Sequence, residues 1–470
     1  MEQKIFFGTD GWRGLLDTEI NIETVKLVGQ AFADYLIEKY KENISIVIGY
    51  DGRRNSKLFA VELSKVLSGN HIKVFLSEKI EPTPVLSYYV KANNLQSGIM
   101  VTASHNPAKY NGLKFKADYG GPFFTEETLK VEKLIGNNKV KQSEENITIT
   151  NLRLQYLQQI KNYINFEIIK KSGVRVLIDS MGGAGQQIIE SLLSEYHIPS
   201  RTIYKVATED FSGRYAEPID KNLFQLKTEL TKENFSLGLA TDGDADRIGI
   251  VQDNAEWLSA QETILLLADF LVNKKKLSGD IVKTSSVTDK IIYYFAKDRT
   301  IHDVQVGFKY ICEKMIENNV AFGAEESGGF GYQNHIPERD GILSGLLITE
   351  MLASSGYTKL SDYVKEKTKE FGEIYYDRID LEYDKPDRIN ILPSLKSNPP
   401  EKISDFYIKS FNEYYSSRGI INGIKFFLEG ASRWLLLRAS ETEPLIRIYA
   451  EAESNEEVHK ILQAGISFFK

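Results

Sequence analysis

The chain has 470 residues, about three times the length of an average domain, so we expect three or four domains with substantial hydrophobic cores. A net charge of −7, scattered basic residues and apolar runs too short to span a bilayer argue against nucleic-acid binding and against a membrane protein. The single cysteine, Cys312, excludes an intrachain disulfide, and the N-terminal residues lack an export-signal pattern, so we expect a cytoplasmic protein.

Short apolar runs that end in Gly or Asp alternate with segments of helical periodicity. The runs begin near residues 45, 73, 98, 174, 236 and 280, and helical segments such as SKLFAVELSKVLSG lie between them. This alternation predicts an α/β fold built on parallel sheets. Ligands are then expected beyond the carboxyl ends of the strands, where the polar clusters lie.

Polar stretches at residues 137–146, 252–256 and 366–373 indicate joints between domains. We therefore predict similar α/β domains over residues 1–150, 151–255 and 256–370, and a fourth domain over residues 371–470. The fourth differs because its strand-like segments WLLLRAS and LIRIYAEA have no long helix between them. This pattern favours a smaller α+β module.

The turn TASHNP, residues 102–107, follows an apolar strand. Ser and Asn before Pro can simply form a turn. A hydrolase is disfavoured, because Ser104 and His105 would point to opposite faces of an extended segment and no G-x-S-x-G motif occurs. Ser104 could instead carry a phosphoryl group, with Lys114 as general acid or base if a neighbouring positive charge lowers its pKa.

Three aspartates, Asp242, Asp244 and Asp246, alternate with small residues directly after another apolar strand. Neighbouring carboxylates repel unless a cation compensates them, and oxygen ligands favour Mg²⁺ over zinc. An EF-hand is excluded, because Arg247 stands where that loop requires Gly. The alternative is a solvated acidic turn, which the apolar flanks disfavour.

Five motifs now stand in order along the chain: GTDGWRG (8–14), TASHNP (102–107), DGDADR (242–247), GAEESGG (323–329) and RASETEPLIR (438–447). Together they resemble the α-D-phosphohexomutase superfamily, particularly its phosphoglucomutase and phosphomannomutase branch. The resemblance covers the whole chain. It implies three similar α/β domains and a smaller C-terminal domain around a central cleft.

The resemblance also implies roles for individual residues. Ser104 would be the phosphoserine and, with Asp242, Asp244 and Asp246, a Mg²⁺ ligand, while Lys114, Arg13 and His105 would assist proton transfer. The residues implied to bind substrate are Arg247, Lys309, Glu325 and Ser327 around the sugar, and Arg438, Ser440, Thr442 and Arg447 around the phosphate that does not react. Glu441 departs from the usual small or amide residue of that phosphate loop, so we expect its carboxylate to point away from the phosphate.

The implied reaction interconverts a hexose 1-phosphate and 6-phosphate through a bisphosphorylated sugar, with glucose 1,6-bisphosphate as activator. Lys309 and the EESGG segment are more similar to the glucose-handling branch than to the glucosamine branch, where Gln usually replaces Glu326. Glucose is therefore expected. Mannose, or both sugars, is the alternative, because the two differ at one hydroxyl.

Two further alternatives are weaker. A phosphatase of the haloacid dehalogenase type needs Thr or Val after its aspartates, and Asp246 or Ile248 stands there. A sugar-phosphate-binding protein without catalysis would be expected to lack Ser104 or an aspartate, and both are present.

Overall fold

The computed structural model describes residues 5–8, 10–385, 388–416, 419–439 and 445–469. Within these ranges the chain forms four sheets, three of mixed direction flanked by helices and a fourth that is antiparallel. The predicted fold class is confirmed, and the domain limits given above stay predictions. In the described residues, no helix combines the length and apolarity needed to cross a membrane.

The first unit is a six-stranded sheet with helices on both faces. Its elements are β1 (Trp12–Leu15), α1 (Ile22–Tyr40), β2 (Ser45–Tyr50), α2 (Ser56–Gly69), β3 (Lys73–Ser77), α3 (Thr83–Ala92), β4 (Ser97–Val101), β5 (Tyr110–Ala117), α4 (Thr125–Leu134) and β6 (Ile147–Thr150). The spatial order is β1-β5-β4-β2-β3-β6. On β2, Ile46 and Ile48 pack with α1 and α2, whereas Val47 packs with α3. Burial of both faces explains the continuous apolar run that predicted this strand.

The second unit has a five-stranded sheet. Its elements are α5 (Arg153–Tyr163), α6 (Phe166–Ser172), β7 (Val176–Asp179), α7 (Ile188–Glu195), β8 (Ser200–Ile203), α8 (Phe224–Lys232), β9 (Leu237–Thr241), β10 (Ile248–Gln252) and β11 (Trp257–Leu258). The order is β11-β10-β9-β7-β8, with β7 parallel to both of its neighbours and β10 antiparallel to β9.

The third unit has a four-stranded sheet. Its elements are α9 (Ala260–Asp269), a π-helical turn (Phe270–Lys274), β12 (Asp280–Thr284), α10 (Lys290–Phe295), β13 (Ile301–Val304), α11 (Phe308–Glu317), β14 (Val320–Glu325), β15 (Gly329–Tyr332), α12 (Gly341–Ser355) and α13 (Leu360–Phe371). The order is β13-β12-β14-β15. The stretch at residues 366–373, where a joint is predicted, contains the last residues of α13, and the buried Val364 and Phe371 pack this helix against the core.

The fourth unit is an antiparallel sheet packed against two helices. Its elements are β16 (Tyr375–Glu382), α14 (Arg388–Ser397), β17 (Lys402–Ile403), β18 (Phe406–Tyr415), β19 (Ile421–Leu428), β20 (Trp434–Ala439), β21 (Leu445–Ala452) and α15 (Asn455–Ser467). The first three units share a continuous apolar core that includes Leu86, Leu239 and Phe322, whereas the fourth has a core of its own.

The sheets of the first three units are mixed, where the sequence predicted parallel ones. In each unit one parallel strand is followed directly by an antiparallel partner: β4 by β5, β9 by β10 and β14 by β15. A short hairpin can join antiparallel strands only. The TASHNP, DGDADR and EESGG segments are these connections, so the same position in three units carries three of the motifs.

Candidate active site

Eight of the predicted site residues line one cleft of about 1500 Å³, to which all four units contribute. Ser104, Lys114 and the three aspartates are buried and are not among its lining residues. Arg13 and His105 come from the first unit, Arg247 from the second, and Lys309, Glu325 and Ser327 from the third. Arg438 and Arg447 come from the fourth, where they are cross-strand partners on β20 and β21. Ser440, Glu441 and Thr442 lie outside the described residues.

Ser104 is fully buried, and its φ of +52° is in the left-handed region. Its Oγ donates to Asp242 Oδ2 at 3.0 Å, and its backbone N–H donates to Thr102 Oγ1 at 2.9 Å. The segment is a turn, as its residue types indicated, so the argument from opposite faces of an extended segment does not apply, and His105 Nδ1 lies 3.5 Å from the hydroxyl. The closest charged partner of the serine is the acidic loop.

The three aspartates form a compact, buried cluster. One oxygen from each of Asp242, Asp244 and Asp246 lies within 4.8 Å of the others, and all three side chains are inaccessible to solvent. Among the described residues, the Oδ1 atoms of Asp244 and Asp246 are buried acceptors without a hydrogen bond. A solvated acidic turn is thus excluded, and the donor set fits a divalent cation that prefers oxygen ligands.

The aspartates differ electrostatically. Burial and the charges of Asp246 and Asp244 raise the pKa of Asp242 well above its usual value. Burial also acts to raise the pKa of Asp244, but Lys114 and a hydrogen bond from Thr83 at 2.6 Å outweigh it and lower that pKa. Like charges at short range push neighbouring carboxylates apart in pKa.

Lys114 lies on β5 and joins the acidic loop to the first unit. Its Nζ is 2.8 Å from Asp244 Oδ2, 2.8 Å from Asp246 Oδ2 and 3.1 Å from Asp10 Oδ2. Burial acts to lower the pKa of Lys114, but the three carboxylates outweigh it and raise the pKa. The lowered pKa considered from the sequence is therefore wrong for this arrangement, because the nearest charges are negative.

Three other predicted residues gather at the same place. Arg13 donates to Asn106 Oδ1 at 2.6 Å, and Arg247 Nε lies 3.9 Å from Asp246 Oδ1. Burial, reinforced by Arg247 and Arg13, lowers the pKa of His105 well below its usual value. The imidazole is consequently neutral at pH 7.

Glu325 and Ser327 face each other across the loop between β14 and β15, with Ser327 Oγ donating to Glu325 Oε1 at 2.5 Å. Burial raises the pKa of Glu325. The neighbouring Glu326 also lines the cleft and accepts from Ser286 Oγ at 2.6 Å. Lys309 donates to Thr125 Oγ1 of the first unit at 2.7 Å, at the edge of the cleft.

Sequence reasoning missed two charged residues of the site. Arg339 Nη2 contacts Asp10 at 2.5 Å and Asp246 at 3.0 Å, and its Nη1 lies 3.3 Å from Glu325 Oε1. Asp10 lies within GTDGWRG, so the motif could have indicated it. Arg339 lies outside the five motifs. Of its neighbours, Asp340 has a recognisable sequence role, because it is the N-cap residue of α12.

Sequence models of the phosphoglucomutase/phosphomannomutase family match the chain in four parts. They are α/β/α domain I over residues 4–142, domain II over 154–255, domain III over 259–371 and the C-terminal domain over 395–465. A phosphoglucomutase/phosphomannomutase of Thermococcus kodakarensis is 29% identical and covers 99% of this chain and 98% of its own. A phosphoglucosamine mutase of Caldicellulosiruptor bescii is also 29% identical, with the same two coverages.

Among solved structures, a protein of Thermus thermophilus provisionally named a phosphomannomutase superposes with a TM-score of 0.85. It is 32% identical and covers 99% of both chains. The four matched domains, their order and the gathered motif residues lead to one assignment. The chain belongs to the α-D-phosphohexomutase superfamily, a family of phosphomutases, which are intramolecular phosphotransferases.

Proposed function

We propose that the protein interconverts hexose 1-phosphate and hexose 6-phosphate, with glucose as the preferred sugar and Ser104 as the phosphoryl carrier. The observation that carries this proposal is the 3.0 Å contact between Ser104 Oγ and Asp242 within the buried aspartate cluster. A serine oxygen beside a cation site can hold a phosphoryl group, because the cation offsets the charge of the phosphate.

In the proposed first step, the free hydroxyl of the bound sugar phosphate attacks the phosphorus on Ser104. The new bond joins the sugar oxygen to phosphorus, the bond from phosphorus to Oγ breaks, and Oγ keeps the electron pair. The hydroxyl proton passes to the His105 imidazole, which is neutral at pH 7, and returns to the leaving sugar oxygen in the second transfer, while Lys114 and Arg13 stay cationic. The bisphosphorylated sugar then turns end for end, and Oγ attacks its other phosphate to restore the phosphoserine.

The cleft residues have matching proposed roles. Lys114, Arg13 and His105 assist the proton that leaves the attacked hydroxyl. Glu325 and Ser327 hydrogen-bond sugar hydroxyls, with Arg247 and Lys309 beside them. Arg438 and Arg447, with Ser440 and Thr442, hold the phosphate that does not react, since guanidinium groups match phosphate oxygens.

Asp242, Asp244 and Asp246 would hold Mg²⁺ together with an oxygen at Ser104. The ion would supply positive charge to the transferring phosphoryl group. The two buried Oδ1 atoms without hydrogen bonds support this role, since an ion would satisfy them. Chelation with EDTA should abolish turnover, and added Mg²⁺ should restore it. Full turnover in EDTA would contradict the metal role.

A coupled assay tests the substrate. Glucose, mannose and glucosamine 1-phosphates are compared at equal concentration, with a trace of glucose 1,6-bisphosphate. We expect the largest kcat/KM for glucose, with mannose second, because the two sugars differ at one hydroxyl. A larger value for glucosamine would overturn the glucose assignment.

Mass spectrometry of the purified protein separates a mutase from a sugar-phosphate-binding protein. We expect a phosphoryl adduct on Ser104 after incubation with glucose 1,6-bisphosphate. An unmodified Ser104, together with no turnover of any of the three sugars, would favour the binding protein.

A further inference from the structure

Arg53 lies beneath the Ser104 turn and uses every donor that its side chain has. Its Nε donates to Asp51 Oδ2 at 3.1 Å. The other four N–H groups donate to backbone carbonyls of the turn, at distances from 2.5 to 3.0 Å, namely those of Ser104, Asn106, Pro107 and Tyr110. The guanidinium is buried. A guanidinium carries five N–H donors, so this one is fully satisfied.

Asp51 links the Arg53 guanidinium to the backbone N–H of Ser104. It accepts from Thr102 Oγ1 at 2.7 Å and from Ser56 Oγ at 2.7 Å. The Thr102 hydroxyl in turn accepts the backbone N–H of Ser104. The carbonyl of Ser104 thus accepts directly from Arg53, and its N–H is linked to Asp51 through the Thr102 hydroxyl.

The turn needs such restraint. A serine with φ of +52° is in a sparsely populated region, which persists only where surrounding contacts fix it. This conformation directs Oγ toward Asp242. The Phe211 ring of the second unit packs against the Arg53 guanidinium, with its centroid 4.6 Å away.

We propose that the Arg53–Asp51 pair is a positioning device for phosphoryl transfer, which holds Ser104 Oγ at the aspartate cluster without touching the sugar phosphate. This inference rests on the proposed role of Ser104 as the phosphoryl carrier. Arginine is required because lysine has three donors on one nitrogen and cannot reach four carbonyls and a carboxylate together. Misplacement of a reacting group by about 1 Å can cost on the order of 100-fold in rate.

Arg53→Lys tests the device, and Arg214→Lys is its matched control. Arg214 also pairs with a buried aspartate, Asp179, through both Nη atoms at 3.1 and 2.9 Å, and donates to the Asn222 carbonyl. Its described side-chain contacts are with Asp179, Asn222 and the Tyr204 ring of the second unit, and none is with the Ser104 turn. We expect Arg53→Lys to lower kcat by about 10- to 100-fold with little change in KM. Arg214→Lys should lose a comparable amount of melting temperature and keep its kcat.

The direct readout is a single turnover. Enzyme phosphorylated on Ser104 is mixed with glucose 1-phosphate, and loss of the phosphoserine is followed by quenched-flow mass spectrometry. Transfer in Arg53→Lys should be slower by the same factor as kcat. Transfer at the wild-type rate would overturn the inference. If wild-type enzyme itself carries no phosphoserine and shows no mutase activity, the proposed function fails instead.

Thr102→Val decides the question if Arg53→Lys does not fold. It removes only the hydroxyl between Asp51 and the Ser104 N–H and preserves the shape of the side chain. We expect a lowered kcat, unchanged KM and a small shift of melting temperature. A wild-type kcat in this variant would contradict the positioning role.

Discussion

At the residue scale, Ser104 defines the site, because its hydroxyl meets the acidic loop of another unit. Its neighbour His105 is adjacent in sequence, yet the left-handed turn gives the serine a carboxylate as its closer partner, 3.0 Å against 3.5 Å. Adjacent polar residues in a motif therefore need not act on each other. The backbone conformation decides which neighbour each one meets.

Ser104→Ala removes the proposed carrier and leaves the cleft residues unchanged. We expect kcat to fall by at least about 1000-fold, because no other group can take the phosphoryl. Binding of glucose 1-phosphate, measured by calorimetry, should stay within about threefold of wild type, since uniform binding contacts are intact. Turnover close to that of the wild type would eliminate the phosphoserine proposal.

At the element scale, the hairpins of the first and second units approach each other closely. A Cβ at Gly243 would lie 2.4 Å from the Ser104 carbonyl oxygen and 3.2 Å from the Phe211 ring. Since real Cβ atoms do not come so near, only glycine allows this contact between the serine turn and the aspartate loop.

Gly243→Ala should therefore separate the two hairpins. Overpacking of this kind costs about 1 to 3 kcal/mol of stability. We also expect kcat to fall by about 10- to 100-fold, because Ser104 moves away from Asp242. The control is Gly29→Ala in α1, where the atoms nearest to the added Cβ belong to the side chains of Leu63 and Val66, the closest at 3.0 Å. Equal activity of the two variants, measured at matched folded fractions, would show that activity does not require this close contact between the serine turn and the aspartate loop.

At the scale of the whole molecule, the fourth unit has its own core and meets the third through buried polar groups. Asp289 accepts from Lys283 at 2.9 Å and from Lys425 of the fourth unit at 3.0 Å. Glu451 of the fourth unit accepts from Thr288 at 2.8 Å. These contacts join the fourth unit to the third beside the cleft that Arg438 and Arg447 line.

Glu451 makes this boundary sensitive to pH. Burial and the nearby Asp289 raise the pKa of Glu451 to about 7, against an ordinary value of 4.5. Between these two values the folded state binds more protons than the unfolded state, so the free energy of unfolding decreases as pH rises from about 4.5 to 7. Glu451→Gln should remove this loss and raise the melting temperature at pH 8 relative to wild type, with little difference at pH 4.5.

Melting temperatures measured from pH 4.5 to 8 test this prediction. Glu382→Gln, at an exposed position of the same sheet, is the control for the loss of one carboxylate. If Glu451→Gln and wild type showed parallel pH profiles, the raised pKa would be wrong.

Arg447→Ala tests whether the fourth unit binds the phosphate that does not react. Charge-assisted hydrogen bonds contribute about 1.5 to 3 kcal/mol each, so KM should rise by about 10-fold or more for both the 1-phosphate and the 6-phosphate. Because the same grip would hold the turning bisphosphate, the variant should also need more added glucose 1,6-bisphosphate for full activity.

The control for Arg447→Ala is Arg433→Ala. Arg433 belongs to the same unit but pairs with Glu453 and Glu457 and does not line the cleft. It should lose stability without a change in KM. A lowered melting temperature with unchanged KM and no response to bisphosphate in Arg447→Ala would assign it a purely structural role.

The sequence by itself determined the fold class, the family and the positions of the motif loops. Apolar runs such as SIVIGY form strands that are buried on both faces. Such burial requires helices on both sides of the sheet, so the local pattern predicted a sheet flanked by helices. The aspartate spacing likewise indicated an oxygen-ligand cation site, because repulsion among three near carboxylates is a local property.

Only the tertiary structure decided which groups from distant parts of the chain meet. The left-handed Ser104 turn is hydrogen-bonded by Arg53, whose four carbonyl partners are more than 50 residues away in sequence. The raised pKa of Lys114 depends on aspartates from two units, and the role of Arg339 as their bridge has no local signal. Electrostatic energy and packing depend on distance in space, which the order of residues does not give.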